Sequence, residues 1–470
     1  MDKREDLRSM LQYLPLVFQS SSSLVWPPSV EQELQTMSTG PGESMVNSGE
    51  ALALRITTMR QSISLNASDL APYASQGYAL FFDEKISRQE SAKFFDEVVP
   101  ALCGLLLKLP SMLEMHYQKA DYVLDGVKSG LRLLAPQEAG VVFLSQELIA
   151  AILACSFCLF PEVDRRLKHL QGINFDELFS YVGSYSLQVS VYTSVHETRE
   201  QDKAEYWAKS ITPLCYVEVH TIGIIEDQPG EALEVEFADE YFGGRTLQIR
   251  FMMNPELIAG MLFLPRMDGN EAIEIVGAER FTLYTEFGSS FQFSGDYLDN
   301  KELDRYMRRK TRVVAIDAMP RPGRRQYKPD GLLREVNKAF TGYLHQCKHQ
   351  VVSLSSSSAL ATHVVECSEK IGVATGNWGC GVFGGDPEVK IMLQWLAISQ
   401  SERPFLSYYT FGLQALQNVN QVVERISLQE MNVGELWSKL VEYSAERFSR
   451  RTKLGFFSWL ITSLSLPPIE

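Results

Sequence analysis

Between Phe94 and Lys108 the apolar residues Phe94, Val98, Leu102, Leu105 and Leu106 return at the spacing of one helix face. Pro100 falls inside that pattern and is expected to kink or split the helix. The longest apolar run, Leu148 to Phe160, is broken only by Ser156 and reads as a buried helix, with Ser145 placed to cap it. It falls short of the roughly 18–20 residues needed to cross a bilayer. Phe175–Tyr181 and Ala204–Ile211 flank a change of texture near residue 205. After residue 212 short β-rich runs appear: Cys215–Val219, Ala232–Phe237, Glu274–Val276, Arg312–Ile316, Val364–Cys367 and Gly372–Ala374. Tyr408–Gly412 reads as a further buried strand. Helical patterns at Asn254–Phe263, Leu332–Lys348 and Pro387–Ser399 alternate with them, as in an α/β domain around a central sheet. The serine runs Ser20–Ser23 and Ser38–Gly49 give the first 70 residues the look of a flexible or weakly structured lead-in. The expected division is therefore a lead-in over 1–70, a helical accessory region over 71–205 and an α/β domain over 206–470.

Composition narrows this picture. A 470-residue chain that is 45% hydrophobic and 22% charged can bury a large core. Its 44 Lys and Arg against 58 Asp and Glu leave a net charge of −14, which excludes a wholesale nucleic-acid coat. No direct DNA binding is expected. Seven Cys form no disulfide framework, and the Cys155/Cys158 pair lies in an apolar stretch that suits buried thiols better than half a zinc site. His345, Cys347 and His349 cluster near a predicted helix end without a third ligand type, so no metal and no cofactor is expected. The mixed charge of Met1–Asp6 lacks the apolar core of a signal peptide, and a soluble intracellular chain without membrane contact is expected. The basic run Arg308–Arg312, with Arg321, Arg324, Arg325 and Lys328, stands out in an acidic chain. It reads as a solvated face, as a nuclear-import signal or as a rim for a polyanion.

The stretch richest in chemistry runs from Ala374 to Asp386, with five glycines at Gly376, Gly379, Gly381, Gly384 and Gly385. A short apolar strand enters it and a helix leaves it, with Asp386 in the N-cap position and Pro387 as the first helical residue. Such a loop lets backbone N–H groups and a helix N-terminus approach a phosphate or diphosphate. It is not a Walker A loop, because no Gly-Lys-Ser/Thr follows.

Residues 374–386 resemble the diphosphate-binding signature of poly(ADP-ribose) glycohydrolases. The resemblance continues in Leu144–Phe160, in Val235–Gly244 and Ile249–Leu257, in Gly277–Phe281 with Tyr284-Thr285, and in Arg308–Ala318, over about residues 75–420. It implies an α+β or α/β chain: an N-terminal helical region and a macrodomain-type domain with a central mixed sheet. The implied activity is cleavage of ribose–ribose bonds, in the nucleus or cytoplasm, within the DNA damage response. The implied partner is ADP-ribose or poly(ADP-ribose), including polymer on modified proteins, bound by a monomer. The implied ligand-binding residues are Ile225, Glu226, Glu236, Asp239, Tyr284, Phe287, Gly376, Asn377, Gly379, Gly381, Phe383 and Gly384.

The catalytic stretch departs from the family pattern. The family places a Gln-Glu-Glu triplet after a Gly-Gly-Gly loop, with the second glutamate as acid/base. Here only Arg245-Thr246-Leu247-Gln248 separates Gly244 from Ile249, and no acidic residue lies between Glu240 and Glu256. Gln248 either matches the triplet's glutamine or merely fills the gap. Glu236 replaces the family's strand aspartate, Asp239 an asparagine, Glu286 a glycine and Phe287 a tyrosine. Three readings follow: a binding protein with lost or strongly impaired activity (a pseudoenzyme), an active glycohydrolase using a substitute acid such as Glu236, or a scaffold that keeps only the fold.

Overall fold

The computed structural model describes residues 4–11, 13–19, 23–63, 74–119, 129–159, 204–244, 249–286, 291–304, 307–344 and 371–465. Phe175–Tyr181, Gln248, Phe287, His345, Cys347, His349 and the expected strand Val364–Cys367 lie outside them. The chain forms two compact units. The first comprises Met1–Thr193, Tyr241–Arg266 and Ile275–Arg309; the second comprises Ser194–Glu240, Met267–Glu274 and Lys310–Glu470. The composition break near residue 205 therefore misses two later segments that fold with the helical part.

In the first unit the expected lead-in is corrected: its described residues are structured. Pro28–Ser38 is a helix that buries Val30, Leu34 and Met37, spaced four and three apart, and Gly49–Ile63 is a second that buries Ile56 and Met59. The Trp26 indole N–H donates to the Leu106 carbonyl at 2.7 Å, and the Arg60 guanidinium to the Cys158 carbonyl at 3.2 Å. Strands β1 (Val17–Gln19) and β2 (Ser23–Val25) pair antiparallel. Pro100 does not break its helix. Arg88–Lys93 is α-helical, Phe94–Val98 is a π turn, and Val99–Lys119 resumes the α form. The wider turn just before Pro100 absorbs the missing N–H. Arg88–Lys119 is long and apolar enough, by length and composition, to cross a membrane. It packs along Pro28–Ser38 and Gln146–Cys158 through Cys103, Leu106, Leu109 and Leu113, as core helices do. Ser145 caps Gln146–Cys158 by accepting from the Leu148 amide at 3.2 Å, as expected from its position.

The second unit is built on a mixed six-stranded sheet. Its strands are β3 (Tyr216–His220), β4 (Ala232–Ala238), β5 (Ile273–Val276), β8 (Arg312–Asp317), β9 (Gly372–Gly376) and β10 (Phe405–Tyr409), in the order β3-β10-β9-β4-β8-β5. The pairings β3/β10, β10/β9, β9/β4 and β4/β8 are parallel. Strands β6 (Thr282–Thr285) and β7 (Gln292–Asp296) form a separate hairpin in the first unit. Helices Pro329–Tyr343, Pro387–Gln400 and Val433–Phe448 enclose the second unit's core, where Trp207, Trp378, Trp395 and Trp437 are fully buried. Three of these indoles have named acceptors: Asn337, the Ile316 carbonyl and the Cys215 carbonyl, at 2.9–3.0 Å. The helical pattern expected over Asn254–Phe263 resolves into a short α-helix, Ile249–Met253, and a 3₁₀ run, Pro255–Leu262.

Candidate functional site

The strand order places a switch point between β4 and β9. After β4 the chain builds β5 and β8 on one side, and after β9 it builds β10 on the other. Open parallel sheets bind ligands at the carboxyl ends of the strands beside such a point. The residues there are Asp239 and Glu240 after β4 and Asn377 onward after β9.

The loop leaving β9 is held from below and open above. Trp378 is fully buried, and the Asn377 amide group is committed to β10: its Nδ2 donates to the Thr410 carbonyl at 2.9 Å and its Oδ1 accepts from the Tyr408 hydroxyl at 3.1 Å. Asp386 caps the helix Pro387–Gln400 by accepting from the Glu388 amide at 3.1 Å, and Tyr327 donates to its other oxygen at 2.7 Å. Gly379 has φ +73°, and a Cβ there would meet the Ala318 methyl at 2.5 Å. A Cβ at Gly376 would meet the Phe411 ring at 2.7 Å, whereas Gly381 and Gly384 have nothing within 4 Å. The first two glycines are thus required by packing, and Gly384 by its φ of +73°. Gly381 has no reason for its identity within the protein.

The amides divide in the same way. Those of Trp378, Cys380, Gly384, Gly385 and Asp386 donate to acceptors within the loop or to Gln326. Among the described residues, the amides of Gly381, Val382 and Phe383 have no acceptor in the protein, and the Val382 side chain is 93% exposed. Three consecutive outward N–H groups ahead of a 14-residue helix suit an anion.

A buried charge network lies beneath. The Lys390 ammonium pairs with Glu335 and sits 3.8 Å from the centre of the Trp378 ring. Arg334 bonds Glu335 at 2.6 Å and also pairs with Asp317, which holds Lys338 at 2.5 Å. Three cations, Lys390, Arg334 and Lys338, face the carboxylates of Glu335 and Asp317, and the buried Glu271 also acts on Lys338. Burial, and then the neighbouring Arg334, push the Lys390 pKa well below the usual lysine value. Lys338 is also lowered by burial, against the opposing pull of Asp317.

In the first unit, Gly243 and Gly244 turn the chain at φ +92° and +69°, and the Gly244 amide donates to the Tyr241 carbonyl at 2.9 Å. Helix Ile249–Met253 follows. Tyr284 stacks on Phe291 at 5.3 Å, and Glu286 adopts φ +63°.

Comparison with known proteins decides what this loop belongs to. The family model described as "Poly (ADP-ribose) glycohydrolase (PARG), Macro domain fold" matches residues 204–418, and its helical-domain counterpart matches 86–194. The chain is 66% identical to "Probable poly(ADP-ribose) glycohydrolase 2" of Arabidopsis thaliana, over 99% of this chain and 100% of that protein. It is 48% identical to "Poly(ADP-ribose) glycohydrolase 1" of the same plant, over 99% and 98%. The Caenorhabditis elegans "Poly(ADP-ribose) glycohydrolase 1" is 29% identical over 61% of this chain and 37% of its own length. The chain belongs to the poly(ADP-ribose) glycohydrolase family.

Within that family frame the residues expected in the site fall into distinct groups. Ile225, on the 3₁₀ turn Ile225–Asp227 that also carries Glu226, packs with Ala374, Tyr409, Phe237 and Phe411, so it shares a cluster with the end of β9. Glu236 lies mid-strand in β4, 9% exposed, and Asp239 follows the strand. Phe383 packs against the core below the loop. The Asn377 side chain, expected at the ligand, is instead spent tying β9 to β10. Tyr284 belongs to the first unit's hairpin, while Gln248 and Phe287 lie outside the described residues. Glu286, expected to replace a family glycine, has a left-handed backbone.

Sequence reasoning missed Lys390, Gln394, Glu335, Arg334 and Tyr327. The readable signal was two polar residues four apart on an otherwise apolar helix: Lys390 under the loop, and Gln394, which accepts from Thr375 at 2.7 Å and donates to the Gly376 carbonyl at 3.0 Å.

Proposed function

We propose that this chain binds ADP-ribose, or the ADP-ribose end of its polymer, through the loop at residues 376–384, with glycohydrolase activity lost or strongly impaired. The observation that carries the reading is the missing acid. Breaking a ribosyl O-glycosidic bond needs a carboxylic acid at the leaving oxygen, and the sequence has no carboxylate from Tyr241 to Pro255. Loss of a general acid lowers the rate by about 10²–10⁴-fold. The alignment with the 66% identical relative spans 524 positions, so at least 54 of them have no counterpart in these 470 residues. A shortened catalytic stretch is in keeping with that deficit. The intact half supports binding: three amides without an acceptor in the protein, a helix N-terminus and the buried Lys390 ammonium beneath. The same reading has a monomer acting in the nucleus or cytoplasm, with polymer on modified proteins as its natural form of ligand.

The competing reading is an active enzyme with Glu236 as acid. The position of Glu236 speaks against it: the residue sits inside the parallel ladder opposite Ala315, away from the strand's open end. Calorimetry with ADP-ribose and a turnover assay on the purified full chain separate the possibilities. The expected result is binding, with turnover at least about 10²-fold below that of a relative with the triplet. Absence of heat at millimolar ligand refutes binding; turnover at the relative's rate that is abolished in Glu236→Gln establishes the substitute acid. A Gly-Gly-Gly…Gln-Glu-Glu loop grafted between Phe242 and Ile249 is expected to restore activity.

A further inference from the structure

We infer that a basic surface beside the glycine-rich loop holds the poly(ADP-ribose) chain beyond its terminal unit, so that the polymer is gripped at two places and free ADP-ribose at one. This rests on the reading of the loop given above and adds a second contact surface to it. Two segments far apart in sequence make the surface. Residues 321–330 carry Arg321, Arg324, Arg325 and Lys328 against Asp330, a net +3. Residues 446–453 carry Arg447, Arg450, Arg451 and Lys453 against Glu446, another +3. They meet at Phe448: Arg324 donates to its carbonyl and lies 5.0 Å from the centre of its ring, and the Lys328 ammonium lies 5.5 Å from the same ring.

Several other cations of this unit are matched by carboxylates. Arg312, Arg334, Lys338 and Lys390 all sit on carboxylates. Among the described residues, Arg324, Arg325, Lys328, Arg450 and Arg451 make no ion pair, and all five are exposed. The Glu446 carboxylate, nearest in sequence, accepts from the Trp459 indole at 3.1 Å. In a chain of net charge −14, an exposed concentration of cations of this kind suits a polyanion, although Arg447 within it already faces Asp386 and Glu388.

Position selects which polyanion. Gln326 and Tyr327, lying between Arg325 and Lys328, are the two residues that hold Asp386 at the end of the glycine-rich loop, at 2.7 Å each. The basic surface therefore borders the end of the glycine-rich loop, three residues from the last of the amides without an acceptor. A polymer with a diphosphate in every unit can engage both, and linking two contacts raises the local concentration of the second. A nucleic acid engages the basic surface alone.

The test uses the full chain with four substitutions, Arg325→Gln, Lys328→Gln, Arg450→Gln and Arg451→Gln. Arg324 is kept so that the two segments stay joined. A control protein carries glutamine at the exposed Lys85, Arg88, Lys93 and Lys108 instead. Affinities for free ADP-ribose and for poly(ADP-ribose) of defined length are measured at several salt concentrations. We expect polymer affinity to fall at least about tenfold in the first protein, with a shallower salt dependence, by about 0.7 in log–log slope per lost phosphate contact. Free ADP-ribose affinity stays unchanged, as does the control. Unchanged polymer affinity overturns the inference even if ADP-ribose binds normally. If wild-type protein fails to bind ADP-ribose, the loop reading fails; a tenfold loss of polymer binding in the variant still upholds the surface, and no loss overturns it. Single-stranded RNA of equal phosphate count binding the wild type as tightly as polymer overturns the assignment in favour of nucleic acid.

Discussion

Lys390→Met removes the ammonium beneath the glycine-rich loop while keeping a similar apolar stem. Glu335 keeps the partners of one oxygen, Arg334 at 2.6 Å and the Met319 amide at 2.9 Å, but its other oxygen loses its ion pair. Both side chains are buried, at 3% and 2% exposure. Breaking a buried pair costs about 3–5 kcal/mol, because one charge remains without compensation. The retained arginine puts this case near the lower end, about 3 kcal/mol. At about 2–4 °C per kcal/mol for a unit of this size, the melting temperature should drop by about 6–12 °C. Adding Glu335→Gln removes the stranded charge and should recover most of the loss, a coupling within the range of about 0.5–3 kcal/mol seen for contacting residues. Thermal and urea unfolding of the two single variants and the double read this directly. The double variant keeps the network's wild-type net charge, so ADP-ribose affinity lost in Lys390→Met should recover together with stability. A single variant as stable as wild type, or a double variant no better than the single, would refute the account of a coupled pair.

Gly379→Ala should destabilise by at least about 1 kcal/mol, because its φ of +73° and the Ala318 methyl at 2.5 Å both oppose a Cβ. Gly381→Ala, with nothing within 4 Å, should leave unfolding within about 0.5 kcal/mol of wild type yet weaken ADP-ribose binding. At Glu286, φ +63° predicts that glycine is neutral or stabilising while valine costs more than about 1 kcal/mol, measured by thermal melting. Burial lowers His116 from 6.5 to about 4, and its Nε2 accepts from the Leu131 amide at 2.8 Å, so the folded state holds the neutral ring. Between pH 6.5 and 4 the unfolded chain takes up the proton first. The stability present at neutral pH is lost as pH falls through that window, by up to about 3 kcal/mol, and His116→Gln should flatten this part of the melting curve against pH.

The central strands β4, β8 and β9 were legible because they are buried and pair parallel, and buried parallel strands read as short continuous apolar runs. Ala232–Phe237 and Arg312–Ile316 are each within one residue of β4 and β8. The loop was legible because Asp386, Pro387 and the glycines are local signals. What stayed hidden was non-local. Segments 241–266 and 275–309 fold with the helical unit, although their sequence texture resembles that of their neighbours. The helix Pro28–Ser38 was obscured by flanking serine runs, although Val30, Leu34 and Met37 carry its spacing. The charge network joins Asp317, Arg334, Lys338 and Lys390 from β8 and two different helices, and no spacing rule links them. Asn377 shows the reverse error. Its place in a ligand loop suggests contact with ligand, but its amide group completes the bonding of two strand ends.

The two halves of the proposed chemistry differ in what else they do for the fold. Nearly every element of the glycine-rich loop is also structural. Trp378 fills the core, Gly379 passes Ala318, Asp386 caps a helix that supplies eleven buried residues, and Lys390 balances Glu335. A change at any of them destabilises the unit, so selection for folding alone preserves the loop's shape and its outward amides. The connection from Gly244 to Ile249 is flanked by described residues that already carry the fold. Its first glycines already reverse the chain, and Phe251 and Met253 are fully buried directly after it. Between ends anchored in this way, each doubling of loop length costs only about 0.6 kcal/mol. The proposed retention of the binding cradle is therefore what selection for folding alone would preserve. For the same reason the grafted loop, inserted where the backbone already turns, should be accepted without loss of stability.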